Sequence, residues 1–365
     1  VSGWIPYWRA ATGTADALAH IDRFTEINPF GYTVKKNGTL HDPMGIDEEP
    51  WKTLIAEAKK RKIRVVPTVM WSDGATIHAI LSNTKTSIAL EDEIAELAKA
   101  KGFDGIDIDF EGKYAETKPY FSLFLKGLYM RMGKKWVMCT IEARTPLSSR
   151  YSSTPPKGAG MYANDFAAIN KYCDRVRIMA YDQGAIDVTL NKARYAPYIP
   201  VADPGWVEKV MELTAQSIPK KKLVIGIATY GYEYKVTPLS EYGFRYDREW
   251  SFNPRYGTDL AVQLGITPLR NAANEIGFIY KAALAVPQNS DPATTAESLP
   301  VSSIAQNAGS SVSIKEPFNI LWWSDATAIK DKVDLAKKLG VRGVAIFKID
   351  GGEDPKMWDV LPKVR

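Results

Sequence analysis

Three acidic side chains alternate with apolar ones in the segment Phe103–Glu111 of this 365-residue chain. Side chains of a β-strand point to alternate faces, so Asp107, Asp109 and Glu111 share one face. Like charges at this spacing repel, and each ionised carboxylate raises the pKa of the next. The pattern therefore predicts general acid–base chemistry, with one carboxyl kept protonated near neutral pH beside carboxylates that share its proton.

A purely structural alternative for this segment is an exposed edge strand with a solvated acidic face. The residues on the other face are Ile106, Ile108 and Phe110, and Gly102 and Gly105 stand close by. An apolar face of this kind favours a buried strand. We therefore expect the acids to line the interior of a protein rather than its surface.

The elements that must position these acids follow a regular order along the chain. Short apolar runs alternate with longer segments of helical periodicity, which is typical of a (β/α)8 TIM barrel of the α/β class. The expected strands are Gly3–Trp8, Glu26–Tyr32, Arg64–Met70, Gly105–Phe110, Trp136–Ile141, Arg175–Ala180, Leu223–Ala228 and Gly343–Lys348. The expected helices are Pro50–Arg61, Ile88–Lys101, Lys118–Met132, Asn164–Tyr172, Trp206–Ile218 and Ala326–Leu339.

The regular order breaks between the seventh and eighth strands. Residues 230–320 are too many for one loop and one helix, and they predict a small α+β insertion. It is expected to hold a short helix near Asp259–Leu264 and a strand at Gly277–Tyr280. Within it, 286–313 is rich in Ser, Ala, Asn, Pro and Thr, which predicts a flexible loop. The barrel itself would then comprise 1–229 and 321–365.

The acidic segment also matches a known motif. Asp104, Asp107, Asp109 and Glu111 fit Asp-x-x-Asp-x-Asp-x-Glu, which resembles the signature of glycoside hydrolase family 18, a family of chitinases, endo-N-acetylglucosaminidases and spore-cortex hydrolases. The resemblance implies that Glu111 is the general acid and that Asp109 orients the acetamido group of the substrate. It further implies that Asp107 shares a proton or hydrogen bond with Asp109. Asp104 and Gly105 are expected to be structural.

A second segment, Met179–Asp182, resembles the Met-x-Tyr-Asp motif of the same family. The resemblance implies that the Tyr181 hydroxyl binds the acetamido group and that Asp182 shapes that subsite. Phe347 stands where the family usually has a tryptophan as the floor of the catalytic subsite. The substrate-binding candidates at the barrel mouth are Met179, Asp182, Trp8, Tyr32, Trp71, Glu142, Arg144, Tyr230 and Phe347.

The function that this resemblance implies is hydrolysis of β-1,4-linked N-acetylglucosamine polymers, namely chitin or chitooligosaccharides. The family is among those in which the acetamido group of the substrate replaces a nucleophilic carboxylate. Three alternatives stay open: an N-acetylglucosaminidase of peptidoglycan or spore cortex, a non-catalytic sugar-binding lectin on the same barrel, and a barrel enzyme of unrelated, metal-assisted chemistry.

Composition narrows the partners and the setting. The net charge is only +5, and the short basic runs 59–62 and 220–222 are expected to be helix ends and solvated turns, so nucleic acid is not implied. Three scattered His predict neither a metal site nor a cofactor, and no segment is long and apolar enough to span a membrane. The two cysteines, Cys139 and Cys173, are expected to be free. We expect a monomer that is secreted or held in the cell envelope after removal of a signal peptide.

Overall fold

The computed structural model describes residues 1–194, 197–240, 243–281, 297–298 and 316–363. Its main feature is a closed barrel of eight parallel staves, each of which is one strand or two short strands in line. In chain order the staves are β1 (Ser2–Pro6), β2 (Glu26–Val34), β4 (Arg64–Val65) with β5 (Thr68–Trp71), β6 (Gly105–Phe110), β7 (Trp136–Glu142), β8 (Arg175–Met179), β9 (Leu223–Ala228) and β16 (Gly343–Phe347). Each stave pairs with the next, and β1 pairs with both β2 and β16, which closes the ring. The predicted (β/α)8 barrel is confirmed.

Two strand boundaries differ from the expected ones at proline residues. The third stave is split, because Pro67 has no N–H to donate to a ladder and separates β4 from β5. The first strand ends at Pro6, and the next three residues form a single 3₁₀ turn, Tyr7–Arg9. A short strand, β3 (Leu40–His41), extends β2 antiparallel to it.

Most of the helices lie between the staves and pack on the outer face of the barrel, whereas α10 packs against strands of the insertion. They are α1 (Ala10–Ala19), α2 (Trp51–Lys60), α3 (Gly74–Ser82), α4 (Thr84–Ala100), α5 (Lys118–Met132), α6 (Leu147–Arg150), α7 (Phe166–Tyr172), α8 (Val188–Ala193), α9 (Pro204–Ala215), α10 (Pro254–Gln263), α11 (Ala326–Leu339) and α12 (Met357–Val360). None of the helices in the described part of the chain is long and apolar enough to cross a membrane.

The packing of α4 determines which way the acidic strand faces. Leu90, Ile94 and Ala98 recur at helical spacing and are fully buried. They belong to the same apolar cluster as Ile106 and Ile108 of β6. Because the apolar face of β6 is taken up by the helix layer, its acidic face points into the barrel.

A second, antiparallel sheet is built from the region in which an insertion was expected. Its strands are β10 (Gly231–Pro238), β11 (Phe244–Phe252), β12 (Leu269–Arg270), β13 (Ile276–Lys281), β14 (Glu297–Ser298) and β15 (Phe318–Trp323). The expected end of the insertion at residue 320 falls within β15. The flexible loop predicted at 286–313 lies outside the described residues, apart from the backbone of β14.

Cys139 and Cys173 form a disulfide, so the prediction of two free cysteines is wrong. Cys139 lies in β7, and Cys173 follows α7 directly before β8. The neighbouring strands β7 and β8 are in register, with Cys139 opposite Val176. This pairing brings the two Cα atoms to 5.9 Å across a sequence separation of 34 residues. The proximity is created by strand pairing, which the spacing of two cysteines does not reveal.

Candidate active site

Asp107 is the innermost acid of β6 and is completely buried. Its Oδ2 accepts hydrogen bonds from Trp4 Nε1 at 3.0 Å, Thr68 Oγ1 at 2.9 Å and Arg177 at 2.9 Å. Its Oδ1 accepts a hydrogen bond from Thr140 Oγ1 at 2.9 Å. Four donors from other strands thus fix this carboxylate next to Asp109, and the proton or hydrogen bond expected between the two aspartates stays a prediction.

Arg177 lies in the barrel interior and was not singled out from the sequence. Its guanidinium is fully buried and also donates to Glu26 at 2.9 Å and to Asn28 Oδ1 at 2.7 Å. It thus links the base of the acidic row to β2. The available signal was an arginine between the apolar residues Val176 and Ile178 of an expected strand, since a buried charge requires a partner.

Asp109, two residues further along β6, has a different environment. It is 3% exposed, and its Oδ1 is buried without a hydrogen-bond partner among the described residues. Burial raises the pKa of Asp109 well above its ordinary value, and the charges of Glu111 and Asp107 raise it further. The result is a buried carboxyl oxygen that remains able to accept a hydrogen bond.

Glu111 directly follows β6 and is half-buried. Its backbone N–H donates to the carbonyl oxygen of Trp71 at 2.7 Å, which extends the pairing with β5. Burial is the largest cause that raises the pKa of Glu111, and the negative charge of Glu142 is the next; the ammonium of Lys113 lowers it. We expected the acids of the same strand to raise the pKa of Glu111, whereas the charge with the largest effect on it is that of Glu142 in β7.

Glu142 ends β7 and pairs with Met179, the half-buried last residue of β8. Its carboxylate accepts hydrogen bonds from the Gly112 N–H at 3.0 Å and from Asn164 Nδ2 at 2.7 Å. Lys113 Nζ lies 3.7 Å from the same carboxylate. Lys113 was not among the residues predicted from the sequence, although a lysine two residues after the expected general acid was a visible signal.

Phe347 ends β16 and is surrounded by aromatic rings at the barrel mouth. The ring of Tyr181 stacks on it with 5.7 Å between centroids. Trp4, Phe30 and Tyr230 meet the same ring edge-on at 5.9, 5.8 and 6.1 Å. Phe30 was not predicted. These rings form an apolar floor next to the acidic row.

Tyr181 is buried in this floor and lies in the field of the acids. Burial raises the pKa of its phenol well above the ordinary value, and the charge of Asp109 is the next cause. Asp182, in the left-handed region with φ of 58°, accepts hydrogen bonds from Tyr230 at 2.7 Å and Tyr232 at 2.8 Å. Burial raises the pKa of Asp182, whereas these hydrogen bonds and the charge of Arg248 lower it. The motif Met179–Asp182 therefore places a phenol beside the acidic row and a carboxylate behind the floor.

Tyr32 does not face the barrel mouth, contrary to expectation. The pairing of β2 with β5 shifts register at Gly31, so Phe30 lies opposite Thr68 and Tyr32 opposite Val69. Thr68 points inward, and Val69 belongs to the apolar core outside the barrel. One extra residue at the bulge thus reverses the face of Tyr32, which is buried in that core.

Trp71 is also turned away from the mouth, which contradicts its expected role in binding. It pairs with Phe110, whose ring it meets edge-on at 5.3 Å, within the outer apolar core. Met70 instead lies opposite Asp109 and packs against the interior cluster. Trp8, in contrast, is 49% exposed in the turn after β1 and packs edge-on against Phe30 at 5.7 Å.

Arg144 holds a loop after β7. Its guanidinium lies between the rings of Tyr162 and Phe166, 3.8 and 3.9 Å from their centroids, and donates to the carbonyl oxygen of Asn164 at 2.8 Å. The side chain that we expected to bind substrate is therefore engaged in packing this loop.

Asp104 and Gly105 lie at the start of the motif. The carboxylate of Asp104 accepts a hydrogen bond from the Val65 N–H at 2.8 Å, and its carbonyl oxygen accepts one from the Trp136 N–H at 2.9 Å. A Cβ atom on Gly105 would lie 2.5 Å from the carbonyl oxygen of Trp136. Both residues thus contact neighbouring staves rather than the mouth.

The chain is similar to known proteins over most of its length. The profile of glycosyl hydrolases family 18 matches residues 4–352. The uncharacterized glycosylase YvbX of Bacillus subtilis (strain 168) is 24% identical over 340 residues, 91% of this chain and 82% of that protein. The cortical fragment-lytic enzyme of Bacillus subtilis (strain 168) is 25% identical over 345 residues, 92% of this chain and 67% of that protein. The crystal structure of a chitinase from Chromobacterium violaceum ATCC 12472 has the same fold, with a TM-score of 0.70 and 18% identity, over 99% of this chain and 97% of that one.

The family profile covers nearly the whole chain, including the acidic strand and the last barrel strand. The chain is therefore a glycoside hydrolase and belongs to glycosyl hydrolases family 18.

Proposed function

We propose that this enzyme hydrolyses β-1,4-linked N-acetylglucosamine polymers and that the 2-acetamido group of the bound sugar is the nucleophile. The observation that carries the proposal is the buried Oδ1 of Asp109, which has no partner in the described part of the chain. A buried polar atom without a partner is costly, so such an oxygen is suited to accept a donor from a ligand. The N–H of an acetamido group is a donor of this kind.

Glu111 would donate the proton to the leaving glycosidic oxygen. Its raised pKa keeps the carboxyl protonated closer to neutral pH than an ordinary glutamate, as general acid catalysis requires. Asp109 would accept the acetamido N–H and stabilise the positive charge that develops as the carbonyl oxygen attacks the anomeric carbon. The Tyr181 hydroxyl would bind the same group, above the apolar floor at Phe347.

Chitin or its oligosaccharides are the substrates that we propose first, because both sugar positions flanking the cleaved bond would then carry the acetamido group. A second candidate is the peptidoglycan of spore cortex. It is favoured by the similarity to a cortical fragment-lytic enzyme over 92% of this chain. Both polymers contain N-acetylglucosamine in β-1,4 linkage, so one mechanism serves both.

We further propose that the enzyme acts outside the cytoplasm, in the secreted state or in the cell envelope. The disulfide between Cys139 and Cys173 supports this setting, because such bonds persist in oxidising compartments. The polymers named above are themselves extracellular or envelope materials.

Product analysis tests the proposed function directly. The enzyme is incubated with a chitin hexasaccharide and, separately, with purified cortex peptidoglycan, and the products are identified by mass spectrometry. We expect at least one of the two polymers to give products whose new reducing end is N-acetylglucosamine. Glu111→Gln should lower turnover by at least about 10²-fold without loss of thermal stability. The control Glu116→Gln removes one exposed carboxylate from the following loop and should behave as the wild type. Cleavage of neither polymer, or native activity of folded Glu111→Gln, would overturn the proposal.

A further inference from the structure

The turn that carries the proposed acid is held by side chains from outside its own strand. Glu111, Gly112 and Lys113 follow β6 directly, and Gly112 has a positive φ of 64°, which favours glycine. The N–H of Gly112 donates to Glu142 Oε1 at 3.0 Å. The position of the Glu111 backbone is thus set on one side by β5 and on the other by Glu142.

Lys113 folds back beneath the same turn. Its side chain is 1% exposed, and Nζ donates to the carbonyl oxygen of Phe110, the last residue of β6. Nζ also lies 4.7 Å from the centroid of the Phe121 ring and 3.7 Å from Glu142 Oε2. A buried ammonium with these contacts ties the end of the strand to β7 and α5.

Asn164 completes the arrangement by orienting Glu142. Its Nδ2 donates to Glu142 Oε2 at 2.7 Å, while its Oδ1 is buried without a partner in the described residues. The carboxylate of Glu142 therefore has each oxygen engaged by the protein. A group so engaged is better placed to position the turn than to contact a sugar, which revises its expected role as a substrate-binding residue.

We propose that Glu142 and Lys113 are a pair of positioning residues, which fix the turn at Glu111 and place a negative and a positive charge on either side of it. This inference rests on the proposed role of Glu111 as the acid.

The charges around Glu111 make the two members of the pair act in opposite directions. The groups that face it are Asp109 of β6, Glu142 of β7, Asp182 after β8, the phenol of Tyr181, and Lys113 of the turn. Burial is the largest cause of the raised pKa of Glu111, and the carboxylate of Glu142 is the second. The ammonium of Lys113 lowers this pKa. Loss of Glu142 charge should therefore let Glu111 ionise at lower pH, and loss of Lys113 charge should delay ionisation to higher pH.

Two nearly isosteric variants test the pair by their opposite signs. Glu142→Gln keeps the acceptor for the Gly112 N–H, and the unpaired Oδ1 of Asn164 can turn to accept from the new amide. Lys113→Met keeps the buried stem over Phe121 without its charge. The basic limb of the pH profile of kcat/KM should move down by about half a pH unit or more in Glu142→Gln, and up by a similar amount in Lys113→Met.

A titration of the Glu111 carboxyl by ¹³C NMR gives a second readout that needs no substrate. The Glu111 signal is assigned from its loss in Glu111→Gln, and its midpoint should shift with the same two signs. Glu116→Gln, which removes an exposed carboxylate, is the matched control. It should change neither the basic limb of the pH profile nor the midpoint of the Glu111 titration. Glu142→Gln suffices for the test if Lys113→Met does not fold.

A third variant separates positioning from charge. Glu142→Ala removes both the charge and the hydrogen bond to Gly112, so kcat at its own optimal pH should fall about tenfold below that of Glu142→Gln, with little change in KM. An unchanged midpoint of the Glu111 titration in Glu142→Gln would overturn the inference. Shifts in the same direction in Glu142→Gln and Lys113→Met would also overturn it. If Glu111→Gln stays active, the proposed function fails; if Glu111→Gln is inactive and the midpoints do not move, only the positioning pair fails.

Discussion

The ring of Tyr181 lies nearly parallel to that of Phe347, with 5.7 Å between the centroids and 10° between the planes. Tyr230 also meets both rings edge-on. The position of the Tyr181 ring is therefore fixed by aromatic packing at the end of β16, independently of its hydroxyl. The hydroxyl is left for the role that we propose, binding of the acetamido group.

Tyr181→Phe should separate the ring from the hydroxyl. The stack on Phe347 is retained, so thermal stability should stay close to that of the wild type. Loss of one hydrogen bond in the complex, worth about 1–3 kcal/mol, should lower kcat/KM by roughly five- to 150-fold. The control Tyr129→Phe, on the outer face of α5, should leave kcat/KM unchanged. A native kcat/KM in Tyr181→Phe would assign Tyr181 to packing alone.

Arg177→Met should lower the free energy of unfolding by about 3–5 kcal/mol. The substitution fills a similar space but leaves Asp107 and Glu26 buried without their cation. Urea unfolding measures the loss, and Arg61→Met, which breaks only an exposed pair on α2, should cost less than about 1 kcal/mol. Equal losses in the two variants would show that the interior network does not depend on the arginine.

Replacement of Cys139 and Cys173 by alanine should lower the free energy of unfolding by about 3–4 kcal/mol, since the bond closes a long loop. Unfolding of the wild type with and without a reductant provides the matched comparison. After unfolding without a reductant, a thiol reagent should detect no reactive cysteine, and it should detect two after unfolding under reducing conditions. Two thiols in the oxidised protein would contradict the bond.

The stability of the protein should fall as the pH rises toward 9, because of a carboxyl pair between α1 and the end of the chain. Burial and a hydrogen bond to Asp16 raise the pKa of Glu353 to about 9. The unfolded chain releases this proton near pH 4.3, so the folded state binds more protons in between and loses stability as the pH rises through that range.

Glu353→Gln should remove this dependence, since an amide needs no proton to donate to Asp16. The melting temperature of Glu353→Gln should exceed that of the wild type by a margin that grows from pH 5 to pH 9. Glu116→Gln is again the control with an exposed carboxylate. A constant margin across this range would contradict the shared proton.

The sequence predicts the parts of the site that depend on local patterns. Period-two alternation was enough to put Asp107, Asp109 and Glu111 on one face of a strand, and the alternation of strands with helices was enough for the barrel. The motif at Met179–Asp182 likewise follows directly from neighbouring residues.

The sequence does not predict features that depend on pairing between distant strands. A bulge at Gly31 reverses the face of Tyr32. The pairing of β5 with β6 places Met70 opposite Asp109 and turns Trp71 into the outer apolar core. The disulfide likewise requires β7 beside β8. The partners of Asp107 come from four other strands, and those of Glu142 come from the turn after β6 and the segment before α7. The roles of both residues therefore emerge only once the barrel is closed.

In the proposed mechanism the sugar supplies its own nucleophile, and digestion of a partially N-acetylated substrate shows whether it does. Oligomers with random free 2-amino groups are digested, and the sugar at each new reducing end is identified by mass spectrometry. If Asp109 and Tyr181 hold an attacking acetamido group, every new reducing end should be N-acetylated. New reducing ends that carry a free amine in proportion to the substrate, or a sugar bound covalently to a carboxylate of the protein, would rule out this mechanism.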